Sequence, residues 1–424
     1  MPLPLRSLKL YCPAFSLQLS HPGLMIDEQL RILLISTQFP FPPRSGFTMR
    51  VQQLAVQLAS RHDVTLLSYV EPGRSDDVAR LRESLRVEVV ERAWGSVASK
   101  RLTQIVTAGS RRPFLCRLLY SRELQTAIDE LSAKKRFDVV QLESSPLCAF
   151  RLPRESRLIL DEHNVEYEVF ERIHEAEHSP FRRAFNWREY KRFMKFEHGC
   201  WKEADGCVVT SEREERIVGA VAPQTPVAVV PNGVDLEFFR PQHRDPDPWT
   251  VVFNGVLDYR PNLDAAYHLI DDIWPLVLDQ VPDAKLAIVG RGDEGELRRL
   301  RRPGIVVTGE VPDVRPHLVE AAVLVVPIRM GGGTRLKVVE GLSLAKAMVS
   351  TSLGCEGVNV RDGEQLLVAD TPREFAAAIV RLFEDRALGA ELGRAGRARM
   401  EQEYSWDHAG DRLEELYRRV LSAA

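Results

Sequence analysis

From residue 31 onward, short apolar runs alternate with helix-length segments, and this alternation constrains the fold more than any other feature of the chain. Parallel strands must be joined by a crossover, so a strand–helix–strand rhythm predicts parallel sheets covered by helices. Strands are expected at 32–35, 64–67, 139–142, 158–160 and 208–209, with helices such as 48–60 and 118–134 between them. The rhythm breaks at 223–249, where six prolines and the turn pair Asn232-Gly233 collect. That stretch is read as an interdomain link. Strands then resume at 251–253, 286–289, 305–307, 323–326 and 348–350, with helices such as 263–278 and 336–345. A chain of 424 residues can hold two such cores. The expectation is therefore an α/β protein of two doubly wound, Rossmann-like domains, 25–235 and 236–402, followed by an amphipathic helix at 407–421. In such sheets ligands sit beyond the carboxyl ends of the strands, so two facing sheets form an interdomain cleft suited to a substrate.

Charge and cysteine usage narrow the functional class. The net charge is −3; residues 1–235 carry 33 basic and 30 acidic side chains, and residues 236–424 carry 24 and 30. This balance excludes a nucleic-acid binder while leaving room for a locally basic face toward anionic lipid or phosphate. Six cysteines without a C-x-x-C pair argue against a disulfide framework and suit a reducing cytoplasm. No apolar run approaches the roughly eighteen residues needed to span a bilayer. Residues 1–24 lack a clean signal-peptide core and cleavage site, and are read as a disordered or mis-started extension before Met25.

The most informative segment is 327–340, Pro-Ile-Arg-Met-Gly-Gly-Gly-Thr-Arg-Leu-Lys-Val-Val-Glu, directly after an apolar run and opening a helix. Gly331, Gly332 and Gly333 allow close approach of backbone to ligand, and with Thr334 they precede a helix N-terminus able to hold a phosphate. Arg335 and Lys337 in the first turn oppose the helix dipole, and make sense beside a bound diphosphate. Glu340, further along, can accept hydrogen bonds from ribose hydroxyls. A plain glycine turn before a surface helix would leave the basic pair uncompensated.

Here the chain resembles family 4 of the retaining glycosyltransferases, which have the GT-B fold of two facing Rossmann-like domains. That family usually carries two glutamates seven residues apart; Glu340 matches the second, which contacts the nucleotide ribose. The first falls on Gly332, so backbone N–H groups at 331–334 are expected to do part of the sugar-holding work. The resemblance continues through residues 39–46, similar to the family's proline and glycine loop near the donor phosphates, where Gly46 remains and Ser45 replaces a second glycine. Residues 230–235 are similar to its interdomain segment. Residues 254–262 are similar to a loop that supplies basic residues to the pyrophosphate, with Arg260 as the candidate. His163, in Asp161-Glu162-His163-Asn164 after a strand, matches the histidine the family places near the transferred sugar.

The resemblance implies a nucleotide-sugar donor, a glycan or lipid-linked acceptor, and a final helix, 403–424, crossing back onto the first domain. No carboxylate, cysteine or histidine cluster has metal-ligand spacing, so no metal and no resident cofactor are expected; Arg260, Arg335 and Lys337 would neutralise the diphosphate. In retaining transfer of this kind the leaving phosphate itself can take the acceptor proton, while the protein positions and stabilises charge.

Helix 181–202 places Arg188, Lys191, Lys195 and Lys202 on one strip and a wide aromatic face opposite. A core helix with a solvated strip and an interfacial helix on the inner membrane face both fit. Two rival functions remain. Gly290-Arg291-Gly292-Asp293-Glu294-Gly295 matches the G-x-G-x-x-G of nicotinamide-dependent oxidoreductases, although two carboxylates would face the pyrophosphate. The missing glutamate at Gly332 and the lone Gly46 also fit a GT-B-like scaffold that has lost transfer.

Overall fold

The computed structural model describes residues 29–43, 45–93, 112–175, 177, 179–242, 246–331 and 335–423. The expectation for residues 1–24 lies outside them. Two parallel sheets organise the chain. The first has the order β3-β2-β1-β4-β5-β6-β7, formed by β1 (Arg31–Ser36), β2 (Asp63–Val70), β3 (Arg86–Glu91), β4 (Val139–Leu142), β5 (Arg157–Glu162), β6 (Gly206–Val209) and β7 (Val227–Val229). The second has the order β10-β9-β8-β11-β12-β13, formed by β8 (Asp247–Asn254), β9 (Lys285–Val289), β10 (Ile305–Val307), β11 (Ala321–Val326), β12 (Ala347–Ser350) and β13 (Leu367–Val368). In each, chain order reverses beside the first strand of the sheet, between β1 and β4 and between β8 and β11. A crevice opens at such a point because the helices following the two strands leave on opposite faces.

Both faces of the first sheet are apolar. One receives Val51, Leu54 and Leu58 of helix Gly46–Ala59; the other receives Leu124 and Ile128 of helix Arg122–Lys134 and Trp201 of helix Pro180–Glu203. The second sheet is covered by Val338, Val339 and Leu342 of helix Leu336–Ser343 and by Phe375, Ile379 and Phe383 of helix Pro372–Glu384.

Helix Trp406–Ser422 joins the core of the first sheet through Trp406, Leu413, Leu416 and Tyr417. Arg61 pairs with Asp411 and Glu414 at 2.6 and 2.9 Å, and Arg412 donates to the Val229 carbonyl. The outgoing and returning chains run side by side, Val234 N–H donating to the Tyr404 carbonyl at 2.7 Å. Gly233 is required there, since a Cβ would lie 2.6 Å from the Trp406 ring.

Several expectations need correction. The 223–249 stretch contains β7 and the start of β8, so it is not wholly a link. The expected helix 118–134 is two helices, Phe114–Leu119 and Arg122–Lys134, because Tyr120 is extended and Ser121 caps the second. The aromatic face of helix Pro180–Glu203 is not uniformly core. Phe193 and Trp201 are buried, but Phe181 is 90% and Trp187 51% exposed. The buried side also includes Glu197, which accepts from the Glu166 and Tyr167 N–H groups opening helix Glu166–Glu175. Burial raises that carboxyl to about 8.

Candidate functional site

On the second sheet, the loop after β8 and the loop after β11 meet at the switch point. Gly255 N–H bonds the Val289 carbonyl at 2.9 Å, and Gly290, at φ +148°, lies so close to the Gly255 carbonyl that a Cβ would fall 1.9 Å from it. The glycine-rich 290–295 segment therefore braces the 255–260 loop. Its helix, Glu294–Leu300, is capped by Asp293, which accepts from Gly295 and Glu296 N–H at 2.9 and 3.3 Å. A carboxylate occupies the place a dinucleotide pyrophosphate would need, which removes the oxidoreductase reading.

Helix Arg260–His268 begins at that braced loop. Asn262 donates to the Val256 carbonyl at 2.9 Å and accepts from Lys337 Nζ at 2.8 Å. The Lys337 ammonium also sits 4.5 Å over the Phe253 ring. Gly331, at φ +101°, brings the β11 loop against the same helix start: a Cβ there would lie 3.1 Å from Pro261 and 3.5 Å from Arg335 Nη2. Gly332, Gly333 and Thr334 lie outside the described residues. Arg335 is buried at the N-cap of helix Leu336–Ser343, whose first turn has no acidic residue. Arg335, Lys337 and the starts of helices Arg260–His268 and Leu336–Ser343 are thus drawn together around Gly255 and Gly331. Arg260 is exposed in the first turn of its helix.

The charges in this space are displaced from their ordinary ranges. Burial, and then repulsion from Arg335, pushes the Lys337 ammonium down to about 7, with Glu340 pulling the other way. Burial pushes the Glu340 carboxyl up to about 7 against the pull of Lys337. Burial likewise lowers Arg335, opposed by Tyr259 and Glu356. Arg335 and Lys337 are thus buried close together, with the Glu356 carboxylate opposing the shift of the first and Glu340 that of the second.

On the first sheet, Ser45 caps helix Gly46–Ala59 in a reciprocal box with Thr48. Gly46 faces the other domain: a Cβ would sit 3.4 Å from Leu336 Cδ1. Phe47, in the same turn, packs against His163 with ring centres 4.3 Å apart and planes tilted by 31°, so His163 is one ring removed from the helix start that meets Leu336. His163 Nε2 lies 3.1 Å from Glu143 Oε2. Arg50, fully buried, grips Asp161 with its Nε and Nη2 and reaches the Val230 carbonyl at 2.7 Å and Asn232 Oδ1 at 3.1 Å. A bridge across the cleft adds to this contact, Arg213 pairing with Glu168 at 2.7 Å and with Glu356 at 3.6 Å.

One expectation is corrected here. Spacing along the chain shows no ligand cluster, yet folding brings Glu143, Asp161 and His163 together, their donor atoms all within 4.8 Å of one another. Internal bonds already engage this set: Arg50 holds both Asp161 oxygens, and Glu143 is shared by Gln141 and His163. Sequence reasoning also missed Glu143, Asn262 and Phe47. The signal available for Glu143 was the polar pair Gln141 and Glu143 at the end of an apolar strand.

Comparison with known proteins fits these observations. Residues 44–238 match the family model described as Glycosyltransferase Family 4, and residues 248–385 match that of Glycosyl transferases group 1. An uncharacterized 44.6 kDa protein of the cps region of Klebsiella pneumoniae is 24% identical over 82% of this chain and 90% of its own length. A phosphatidyl-myo-inositol mannosyltransferase of Mycobacterium tuberculosis is 30% identical over 46% of this chain, and the match spans about half, 54%, of that relative. Among solved structures, sucrose-phosphate synthase from Thermosynechococcus elongatus aligns with a TM-score of 0.69 at 18% identity, over 93% of this chain and 100% of its own. Anabaena HepE in complex with UDP aligns at 0.63 and 13%, over the same shares. With both halves matched by glycosyltransferase models and the two facing sheets of the GT-B fold joined at one cleft, the chain belongs to the GT-B glycosyltransferases.

Proposed function

We propose that the enzyme transfers a sugar from a nucleotide-sugar donor to a hydroxyl of a glycan or lipid-linked acceptor, with retention and without a metal ion, as a member of family 4. The observation that carries this reading is the convergence of two helix N-termini with Arg335 and Lys337, and with Glu340 one turn beyond. In this reading the domain at 236–402 holds the donor. Arg335, Lys337 and the N–H groups at 331–334 take the diphosphate, Arg260 approaches it from the rim, and Glu340 accepts from the ribose. The domain at 25–235 presents the acceptor; Gly46 closes over the phosphates and His163 stands beside the transferred sugar.

As the glycosidic bond to phosphate breaks, negative charge grows on the departing diphosphate, where the two fixed cations and the helix dipoles stabilise it. The leaving phosphate takes the proton of the attacking hydroxyl. No step requires a metal, since Arg335 and Lys337 supply the positive charge. Thermal-shift measurement with UDP, GDP and their sugars, with and without EDTA, tests the reading: one base series should raise the melting temperature, equally in EDTA. Stabilisation that disappears with EDTA and returns with Mg²⁺ would overturn metal independence, and no stabilisation by any nucleotide would overturn the donor site.

The acceptor side favours a membrane surface. Phe181, Trp187 and Ile173 are exposed beside the exposed basic residues Arg182, Arg183, Arg188, Lys191 and Lys195, and no helix among the described residues is long and apolar enough to cross a membrane. An aromatic and basic surface of this kind suits peripheral binding to anionic lipid at the inner face of the membrane. Co-sedimentation with acidic liposomes should weaken with salt and with combined Lys191→Glu and Lys195→Glu; unchanged binding would refute it.

A further inference from the structure

The geometry points to Glu143 as the positioning residue that fixes the tautomer of His163, held in place from the C-terminal helix through Gln141 and Tyr417. The inference rests on the reading that puts His163 beside the transferred sugar. Glu143 follows β4 at the switch point and is 1% exposed. Its Oε1 accepts from Gln141 Nε2 at 2.8 Å, and its Oε2 lies 3.1 Å from His163 Nε2. Gln141 Oε1 in turn accepts from the Tyr417 hydroxyl at 2.5 Å. Gln141 and Tyr417 are fully buried.

Donor and acceptor roles propagate along this chain of contacts in one sense. A carboxylate can only accept, so Glu143 requires N–H from both neighbours. Gln141 must therefore turn its amide nitrogen toward Glu143 and its carbonyl toward Tyr417. The phenol is the donor there; burial first, and the nearby carboxylates second, hold its proton well above the usual range. On the other side His163 must present Nε2–H, and in the tautomer carrying that single proton Nδ1 is a lone-pair acceptor for a sugar hydroxyl. Phe47, tilted by 31° with its ring centre 4.3 Å away, packs against the imidazole. Asp161 is turned toward Arg50, whose Nε and Nη2 donate to its oxygens. A histidine whose second nitrogen is held by a buried carboxylate has its tautomer and orientation fixed before substrate arrives.

Glu143→Gln is the informative change, since it keeps the shape and reverses one role. The new amide would still accept from Gln141 through its oxygen. Its nitrogen would then donate to His163 Nε2, forcing the ring proton onto Nδ1. The experiment is nitrogen NMR of the nucleotide-free full chain labelled with ¹⁵N-histidine. The chain has 10 histidines, so the His163 signal is identified by its loss in His163→Gln. The wild type should show His163 with Nε2 protonated, and Glu143→Gln, folded by its melting curve, should show the inverse ratio. Tyr417→Phe releases Gln141 and should give a mixture of the two tautomers. A wild-type ring carrying its proton on Nδ1 would overturn the proposal even if no variant folds, and so would the same tautomer in wild type and Glu143→Gln. An inverted tautomer with unchanged sugar transfer would support the relay, and would refute instead the placement of His163 beside the sugar.

Discussion

At the β1/β4 switch point the buried charges meet partners inside the protein, whereas at the β8/β11 switch point they are crowded and held away from their ordinary protonation ranges. Arg50 with Asp161, and Glu143 with Gln141 and His163, form a satisfied network among side chains with 0–1% exposure around one partly exposed imidazole. Across the cleft, Lys337 and Glu340 are both displaced to about 7, and Arg335 is also lowered by burial. Similar backbone plans thus serve different ends. In the proposed reading one holds the His163 ring in a set orientation, and the other tolerates an unfavourable charge arrangement that a bound diphosphate would relieve.

The largest effect expected from this contrast is on stability. Asp161→Ala leaves the guanidinium of Arg50 buried without its counter-charge, and breaking such a pair costs about 3–5 kcal/mol. Urea unfolding should show a loss of this size in the transition involving the first domain. A loss below about 1 kcal/mol would mean that the Val230 carbonyl and Asn232 suffice, and the two switch points would no longer differ as described.

A second difference should appear in the pH dependence of nucleotide binding, because Lys337 and Glu340 on the donor side are both displaced to about 7. The diphosphate of a nucleotide sugar has no proton to lose there, so the protein groups decide the profile. Lys337 must be protonated to attract phosphate, so its contribution is present below about 7 and fades as pH rises through that value. Glu340 accepts best as a carboxylate, so its contribution fades as pH falls through about 7. Affinity should peak near neutrality. Lys337→Met should weaken binding by roughly 10- to 100-fold, the size of one charge-assisted hydrogen bond, and remove the alkaline decline. Glu340→Gln should remove the acidic decline. Calorimetry across pH 5.5–8.5 checks this, and a flat wild-type profile would contradict it.

The contrast also separates what was legible in the sequence from what was not. Central strands such as β1 and β11 are nearly continuous apolar runs buried on both faces, so their composition reveals them locally. The edge strand β3, Arg-Val-Glu-Val-Val-Glu, mixes charge with apolar residues, and β13 has only two residues; both depend on pairing with distant partners. The proposed donor motif stands out locally because Gly331, Arg335, Lys337 and Glu340 lie within ten residues. The His163 network could not, since Glu143, Gln141 and Tyr417 come from β4 and from a helix some 270 residues later. Whether Phe181 and Trp187 face core or solvent stayed open for a related reason: helical periodicity places a residue on a face without saying whether another element covers it.

The central claim, that the donor ribose and diphosphate lie against helix Leu336–Ser343, is tested most directly at Glu340. Calorimetric titration of the preferred nucleoside diphosphate into wild type and Glu340→Ala, at about pH 8 where the carboxyl is ionised, isolates the ribose contact. Each charge-assisted hydrogen bond contributes on the order of 1.5–3 kcal/mol, so the variant should bind at least about tenfold more weakly. Its apo melting temperature should be no lower than that of wild type, since alanine favours the helix and a displaced buried charge is removed. A variant that melts normally and binds as tightly as wild type would put the donor site elsewhere.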